Sequence, residues 1–65
     1  MINVTLLKEK IFESGYTQKE FCKKIKMAES SFIRKLKTGD FTLPEAEMMI
    51  EILDIENPLE VFFGE

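Results

Sequence analysis

The side chains of this chain that could bind a partner or catalyse a reaction are concentrated in residues 16–39. This segment carries seven of the nine lysine and arginine residues and the single cysteine, Cys22, and the whole chain contains no histidine. Lysine, arginine and hydroxyl side chains donate hydrogen bonds to phosphate oxygens and to the polar edges of bases. The chemistry that this segment indicates is therefore recognition of an anionic partner.

Catalytic and metal sites are not indicated. Cys22 has no neighbouring base, and the sequence contains no Gly-rich phosphate loop and no pair of convergent carboxylates. We expect the lone thiol to fill the core, and its lack of a disulfide partner favours a reducing, cytoplasmic setting. The apolar start of the chain is interrupted by Asn3 and Thr5, which argues against a signal peptide or a membrane span. We therefore expect a protein that is not an enzyme and needs no metal or cofactor.

The charges of the chain are divided along its length. All nine bases lie in residues 8–37 together with four acids, a net charge of +5, whereas residues 38–65 carry eight acids and no base. This asymmetry predicts a cationic binding surface on an anionic support. The alternative is that solvated helix faces merely differ in sign, and charge alone does not decide between the two interpretations.

The cations are predicted to lie on helices of a single domain, residues 1–65. Helix 1 is expected from about Val4 to Ser14, with Asn3 or Thr5 as its cap and a left-handed Gly15 at its end. Thr17 and Glu20 form a capping box for helix 2. The inner face of helix 2 is expected to consist of Phe21, Cys22 and Ile25.

The third helix, expected over about residues 28–37, is the most informative. At about 100° per residue, Ser30, Arg34 and Lys37 share one face, while Phe32 and Leu36 lie nearly opposite. Helices 4 and 5 are expected to open at two similar signals, one formed by Thr42, Pro44 and Glu45 and the other by Asn57, Pro58 and Glu60. No segment alternates as a strand does, so the sequence predicts an all-α fold of five helices.

The segment "TQKEFCKKIKM" followed by "SSFIRKLKTG" resembles the helix-turn-helix of the phage Cro and repressor family. The segments "FTLPEAEMMIEILDI" and "NPLEVFF" are similar to its supporting helices, and the paired phenylalanine is typical of a subgroup of short phage proteins. The resemblance covers nearly the whole chain. It implies a compact five-helix lambda repressor-like domain whose third helix enters the major groove of DNA.

The resemblance also implies roles for individual residues. Gln18 matches a position that binds the DNA backbone, Ser30, Ser31 and Arg34 match positions that face base edges, and Lys35, Lys37 and Thr38 are expected near the sugar-phosphate backbone. The full set of residues expected to contact DNA is Thr17, Gln18, Lys19, Glu29, Ser30, Ser31, Arg34, Lys35, Lys37 and Thr38.

Four residues depart from the family pattern. Lys26 replaces the glycine usual in the turn, so its backbone is expected to be strained in the left-handed region. Ala28 replaces the usual Ser or Thr cap of helix 3. Glu29 either accepts a hydrogen bond from cytosine or is simply an acid that favours a helix start. Lys35 stands where a buried aliphatic residue is common.

Helix 4 carries a second apolar stripe that something must cover. The stripe consists of Met48, Ile52 and Ile55. Either helix 1 or helix 5 packs on it, or it forms a two-fold homodimer seam together with Phe62 or Phe63. Such a seam would set two recognition helices about 34 Å apart on a palindromic operator.

The expected function is that of a transcription regulator of phage or mobile-element origin, with double-stranded DNA as its partner. It is expected to act by steric occupancy, because no second domain is predicted. The alternative function is a protein-interaction module, of an anti-repressor or antitoxin-like kind, that uses the same helices without specific DNA binding.

Overall fold

All the regular secondary structure in the part of the chain that the structure describes is helical. This computed structural model describes residues 2–63. Within that range there is no strand, and the chain forms α1 (Val4–Glu13), α2 (Gln18–Lys24), α3 (Glu29–Thr38), α4 (Leu43–Leu53) and α5 (Pro58–Phe62). The all-α prediction is confirmed, and the helix bounds agree with the expected ones to within one or two residues.

Side-chain caps define where three of these helices begin. Asn3, rather than Thr5, caps α1, because its Oδ1 accepts a hydrogen bond from the amide of Leu6 at 3.1 Å. At the start of α2 the Thr17 hydroxyl accepts from the Glu20 amide at 3.1 Å, and the Glu20 carboxylate accepts from the Thr17 amide at 2.9 Å. The same reciprocal box opens α4, with Thr42 and Glu45 as its members.

The start of α5 differs from its sequence signal. Asn57 makes no side-chain capping bond, although Pro58 occupies the first turn as expected. The Glu60 amide instead donates to the backbone carbonyl of Asn57 at 3.2 Å. α5 is also bonded to the start of the chain, because the amide of Asn3 donates a hydrogen bond to the carbonyl of Val61 at 2.7 Å.

The core is formed by all five helices. Its members are Leu7, Ile11, Phe21, Cys22, Ile25, Phe32, Leu36, Met49, Leu53, Ile55, Val61 and Phe62, and no polar or charged residue within residues 2–63 is buried. The Phe32 ring packs against two other aromatic rings, with its centroid 5.7 Å from that of Phe21 and 5.9 Å from that of Phe41. Burial of the Phe32 side chain and of the Phe21 side chain each stabilises the fold by about 1.5–3 kcal/mol. These contacts fix α3 in its rotation about its own axis.

The seam predicted for a homodimer is only partly available on this fold. Ile55 and Phe62 belong to the core, at 7% and 8% exposed, and Ile52 packs against the core from its edge. α4 ends at Leu53, because Asp54 adopts a left-handed backbone with φ 52°, and Ile55 therefore lies outside the helix. Met48 and Phe63 remain exposed, at 38% and 64%.

Candidate nucleic-acid interface

The connection between α2 and α3 is a four-residue turn with a left-handed residue. Lys26 has φ 58°, so the strain expected from a lysine in place of glycine is present. A residue with a Cβ in this region costs about 1–2 kcal/mol. The turn is held by the amide of Met27, which donates to the carbonyl of Cys22 at 2.9 Å. The two helices that the turn joins pack directly against one another.

The polar face of α3 points out of the protein, as the sequence predicts. Phe32 is fully buried, and Leu36 is 7% exposed, whereas Ser30, Arg34 and Lys37 are exposed. Four further predicted contact residues lie on or next to this helix. Glu29 and Thr38 are exposed, and Ser31 and Lys35 are half-buried.

Lys35 is the predicted contact residue whose position differs most from expectation. Its Nζ lies 2.5 Å from Oε2 of Glu45, and the two side chains are only 20% and 25% exposed. The ion pair joins α3 to α4 and holds the pKa of Glu45 below its ordinary value of 4.5, with the Lys35 hydrogen bond as the main cause. The ammonium is therefore engaged within the fold. The sequence could not indicate this partner, because it lies ten residues away on another helix.

The other cations on and around α3 have no carboxylate partner among residues 2–63. Within residues 2–63 the structure has two ion pairs, that of Lys35 and a long one of 3.9 Å between Lys10 and Glu13. Within residues 38–63, the acidic half of the chain does not cover the outward face of α3, because Ser30, Arg34 and Lys37 are exposed. The cations that remain exposed and unpaired among the described residues are Lys8, Lys19, Lys23, Lys24, Lys26, Arg34 and Lys37.

The amino end of α2 provides the second group of predicted contacts. The Thr17 hydroxyl is occupied by its capping bond with the Glu20 amide. The Thr17 backbone amide donates to the Glu20 carboxylate, and this bond is the main reason that the pKa of Glu20 lies below its ordinary value. Lys19 is exposed, and Gln18 is half-buried against the flank of α3. Gln18 and Lys19 are therefore the side chains at this end that are free to bind a partner.

A groove between α1, α2 and α3 is lined by two exposed residues, Lys8 and Ile33, that were not among the predicted contact residues. It has a volume of about 330 Å³ and is lined by Val4, Lys8, Gln18, Ile33, Leu36 and Lys37. Ile33 is 41% exposed and lies about 40° from Lys37 around the axis of α3, which a helical projection of the sequence already indicates. No sequence pattern indicated Lys8, because its position next to α3 depends on how α1 packs against that helix.

The start of α3 has the features expected from its sequence. Ala28 precedes the helix and makes no side-chain capping bond. Glu29 occupies the first turn, where its negative charge interacts favourably with the helix dipole and stabilises the helix. Burial raises the pKa of the neighbouring Cys22 thiol, with a smaller contribution from the Glu29 charge. A thiol in this state is a poor nucleophile, in agreement with its place in the core.

Comparison of the chain with family models, with curated proteins and with solved structures found no match. Residues 2–63 contain no group of three or more acidic or cysteine side chains arranged to hold a metal ion. None of the helices in this described part is long and apolar enough to cross a membrane.

Proposed function

We propose that this protein is a sequence-specific, double-stranded-DNA-binding transcription regulator of the Cro and repressor type, with a lambda repressor-like helix-turn-helix formed by α2 and α3. The observation that carries the proposal is the outward face of α3. Phe32 and Leu36 hold the helix on the core. Ser30, Arg34 and Lys37 are exposed, and neither cation has a carboxylate partner in the part of the chain that the structure describes. The phage or mobile-element origin and the cytoplasmic location rest on the resemblance and on the lone thiol.

In the proposed complex α3 lies in the major groove of DNA. An α-helix with its side chains is about 10–12 Å across, and the major groove, about 12 Å wide, admits a helix of this diameter. The planar guanidinium of Arg34 suits the O6 and N7 atoms of guanine, and the Ser30 hydroxyl suits either donor or acceptor on a base edge. Bound in this way, the protein prevents other proteins from occupying the same site.

The remaining exposed groups would fix the position of the helix on the duplex. In this proposal Lys37 at the end of α3, and Gln18 and Lys19 at the start of α2, would bind phosphate oxygens. Thr38 donates to the Arg34 carbonyl at 3.3 Å and accepts from the Asp40 amide at 3.3 Å, so its hydroxyl is shared with the end of the helix. Lys35 is left out of the proposed contact set, because it is paired with Glu45.

Selection of bound duplexes from a random pool at physiological salt tests this function directly. The proposal predicts enrichment of a defined sequence motif. A pool that shows no enrichment, together with no measurable affinity for any duplex, would favour the protein-interaction module. That alternative has one observation of its own, a second groove lined in part by Phe41, Leu43 and Phe63, in which Leu43 is 72% exposed.

A further inference from the structure

Ile33 is an apolar residue on the polar side of α3. The other large apolar residues of this helix, Phe32 and Leu36, are 0% and 7% exposed, whereas Ile33 is 41% exposed. The core does not need it, and its side chain stands about 60° from Ser30 and about 40° from Lys37 around the helix axis. An aliphatic side chain in this place is available to a ligand of α3.

The surroundings of Ile33 combine an apolar floor with a cationic rim. Val4 and Leu36 line the same groove, and the ammonium-bearing side chains of Lys8 and Lys37 border it from α1 and α3. Neither lysine has a carboxylate partner among the described residues. Charge complementarity therefore favours an occupant that presents an apolar group next to negative charge.

DNA presents this combination in its major groove. The 5-methyl group of thymine is the apolar feature of the base edges there, and the phosphates that border the groove carry the negative charge. Uracil has the same hydrogen-bonding atoms as thymine and lacks only this methyl group. The contact can therefore be removed from the DNA side without altering any polar interaction.

We propose that Ile33 is a specificity-determining residue that packs against the 5-methyl group of one thymine in the bound site, while Lys8 and Lys37 hold phosphates beside it. This inference rests on the proposed function and adds to it a preference for an A·T pair, oriented with its thymine towards Ile33. The residue does not belong to the hydrogen-bonding set on α3 and reads the DNA by apolar contact alone.

The experiment uses the duplex recovered by selection, synthesised with deoxyuridine in place of thymidine at one position at a time. The unaltered protein should lose about fourfold in affinity at one position, the effect of removing one buried methyl group. In Ile33→Ala the affinities for the two duplexes should become equal. Ile33→Val, which keeps part of the side chain, should give a ratio between these values. Leu59→Ala removes an exposed leucine from α5 and should keep the full fourfold ratio.

Two results would overturn the inference while leaving DNA binding intact. One is a selected site at which no thymine-to-uracil change alters affinity, as expected if the groove takes a peptide instead. The other is a methyl effect that persists unchanged in both Ile33 variants, with native circular dichroism confirming that they fold. Failure to bind any duplex would instead remove the proposed function itself, so the two failures are distinguishable.

Discussion

At the scale of single residues, Arg34 and Lys37, which are one turn apart on α3, are proposed to make different kinds of contact with DNA. Arg34→Ala should cost about 1–3 kcal/mol in binding and relax the preference at one base pair, because a bidentate contact to guanine is lost. Lys37→Ala should weaken binding to all sequences to a similar extent, since a phosphate contact carries no sequence information. Repeating the selection with each variant measures the difference, and matching profiles would contradict it.

In the proposed complex Lys8 adds a phosphate contact from α1, so replacing Lys8 should change the salt dependence of binding. Lys8→Ala should reduce the slope of log K against log salt by about 0.9, the effect of one phosphate contact. Lys10→Ala is the matched control, because Lys10 lies about 160° away on the same helix and is near Glu13. Equal slopes for the Lys8 variant and the unaltered protein would place Lys8 outside the interface.

At the scale of elements, α3 begins without a cap and therefore can be stabilised. Ala28 has the extended backbone of a capping residue, with φ −65° and ψ 142°, but no side-chain acceptor. Ala28→Ser should raise the free energy of unfolding by about 1 kcal/mol by accepting a hydrogen bond from a free amide of the first turn. Urea denaturation measures the gain. Ala28→Val, which adds volume but no acceptor, should give none, and an equal gain from both would exclude capping as the cause.

The ion pair between α3 and α4 predicts how stability responds to acid. The pKa of Glu45 is lowered in the folded protein, so the pair stabilises the fold at pH values above 4.5 and this contribution is lost as the pH falls through the lower folded pKa. Glu45→Gln should therefore lower the melting temperature near pH 7, and the difference from the unaltered protein should shrink towards pH 3. Glu51→Gln, at an exposed residue of α4 with no ion pair in the described structure, is the control. A difference independent of pH would contradict this role.

Local sequence signals predicted the elements well, and tertiary contacts account for what they missed. The capping boxes of Thr17 and Thr42 need only residues three apart, so sequence sufficed for them. The pairing of Lys35 depends on the approach of α4, and the groove at Ile33 depends on three helices together. The helices and their capping residues were thus predictable from the sequence. The contacts that site residues make with other helices were not.

At the scale of the whole molecule, the size of the described chain limits how much of a DNA duplex one copy could contact. The longest dimension of the described chain is 27 Å, which is less than the roughly 34 Å that separates equivalent points on successive turns of the DNA major groove. A single copy can therefore place α3 in one half-site only. Recognition of a palindrome requires two copies.

The two-fold homodimer remains a prediction, now resting on Met48, Ile52 and Phe63. Met48→Glu should weaken self-association by bringing a charge into the apolar seam. Sedimentation at micromolar concentration should show concentration-dependent dimers of the unaltered protein, and the variant should shift towards monomer. A strict monomer at all concentrations, together with selected sites that lack two-fold symmetry, would contradict the dimer.

The salt dependence of binding to the selected duplex measures whether the exposed cations on and around α3 contact DNA phosphates, as the proposed function requires. Counterion release predicts a linear fall of log K with log salt, with a slope of about −0.9 for each phosphate contacted. With Lys8, Lys19 and Lys37 as phosphate ligands the slope should be at least as steep as about −2.7. A flat response, or no affinity for any duplex, would contradict the account.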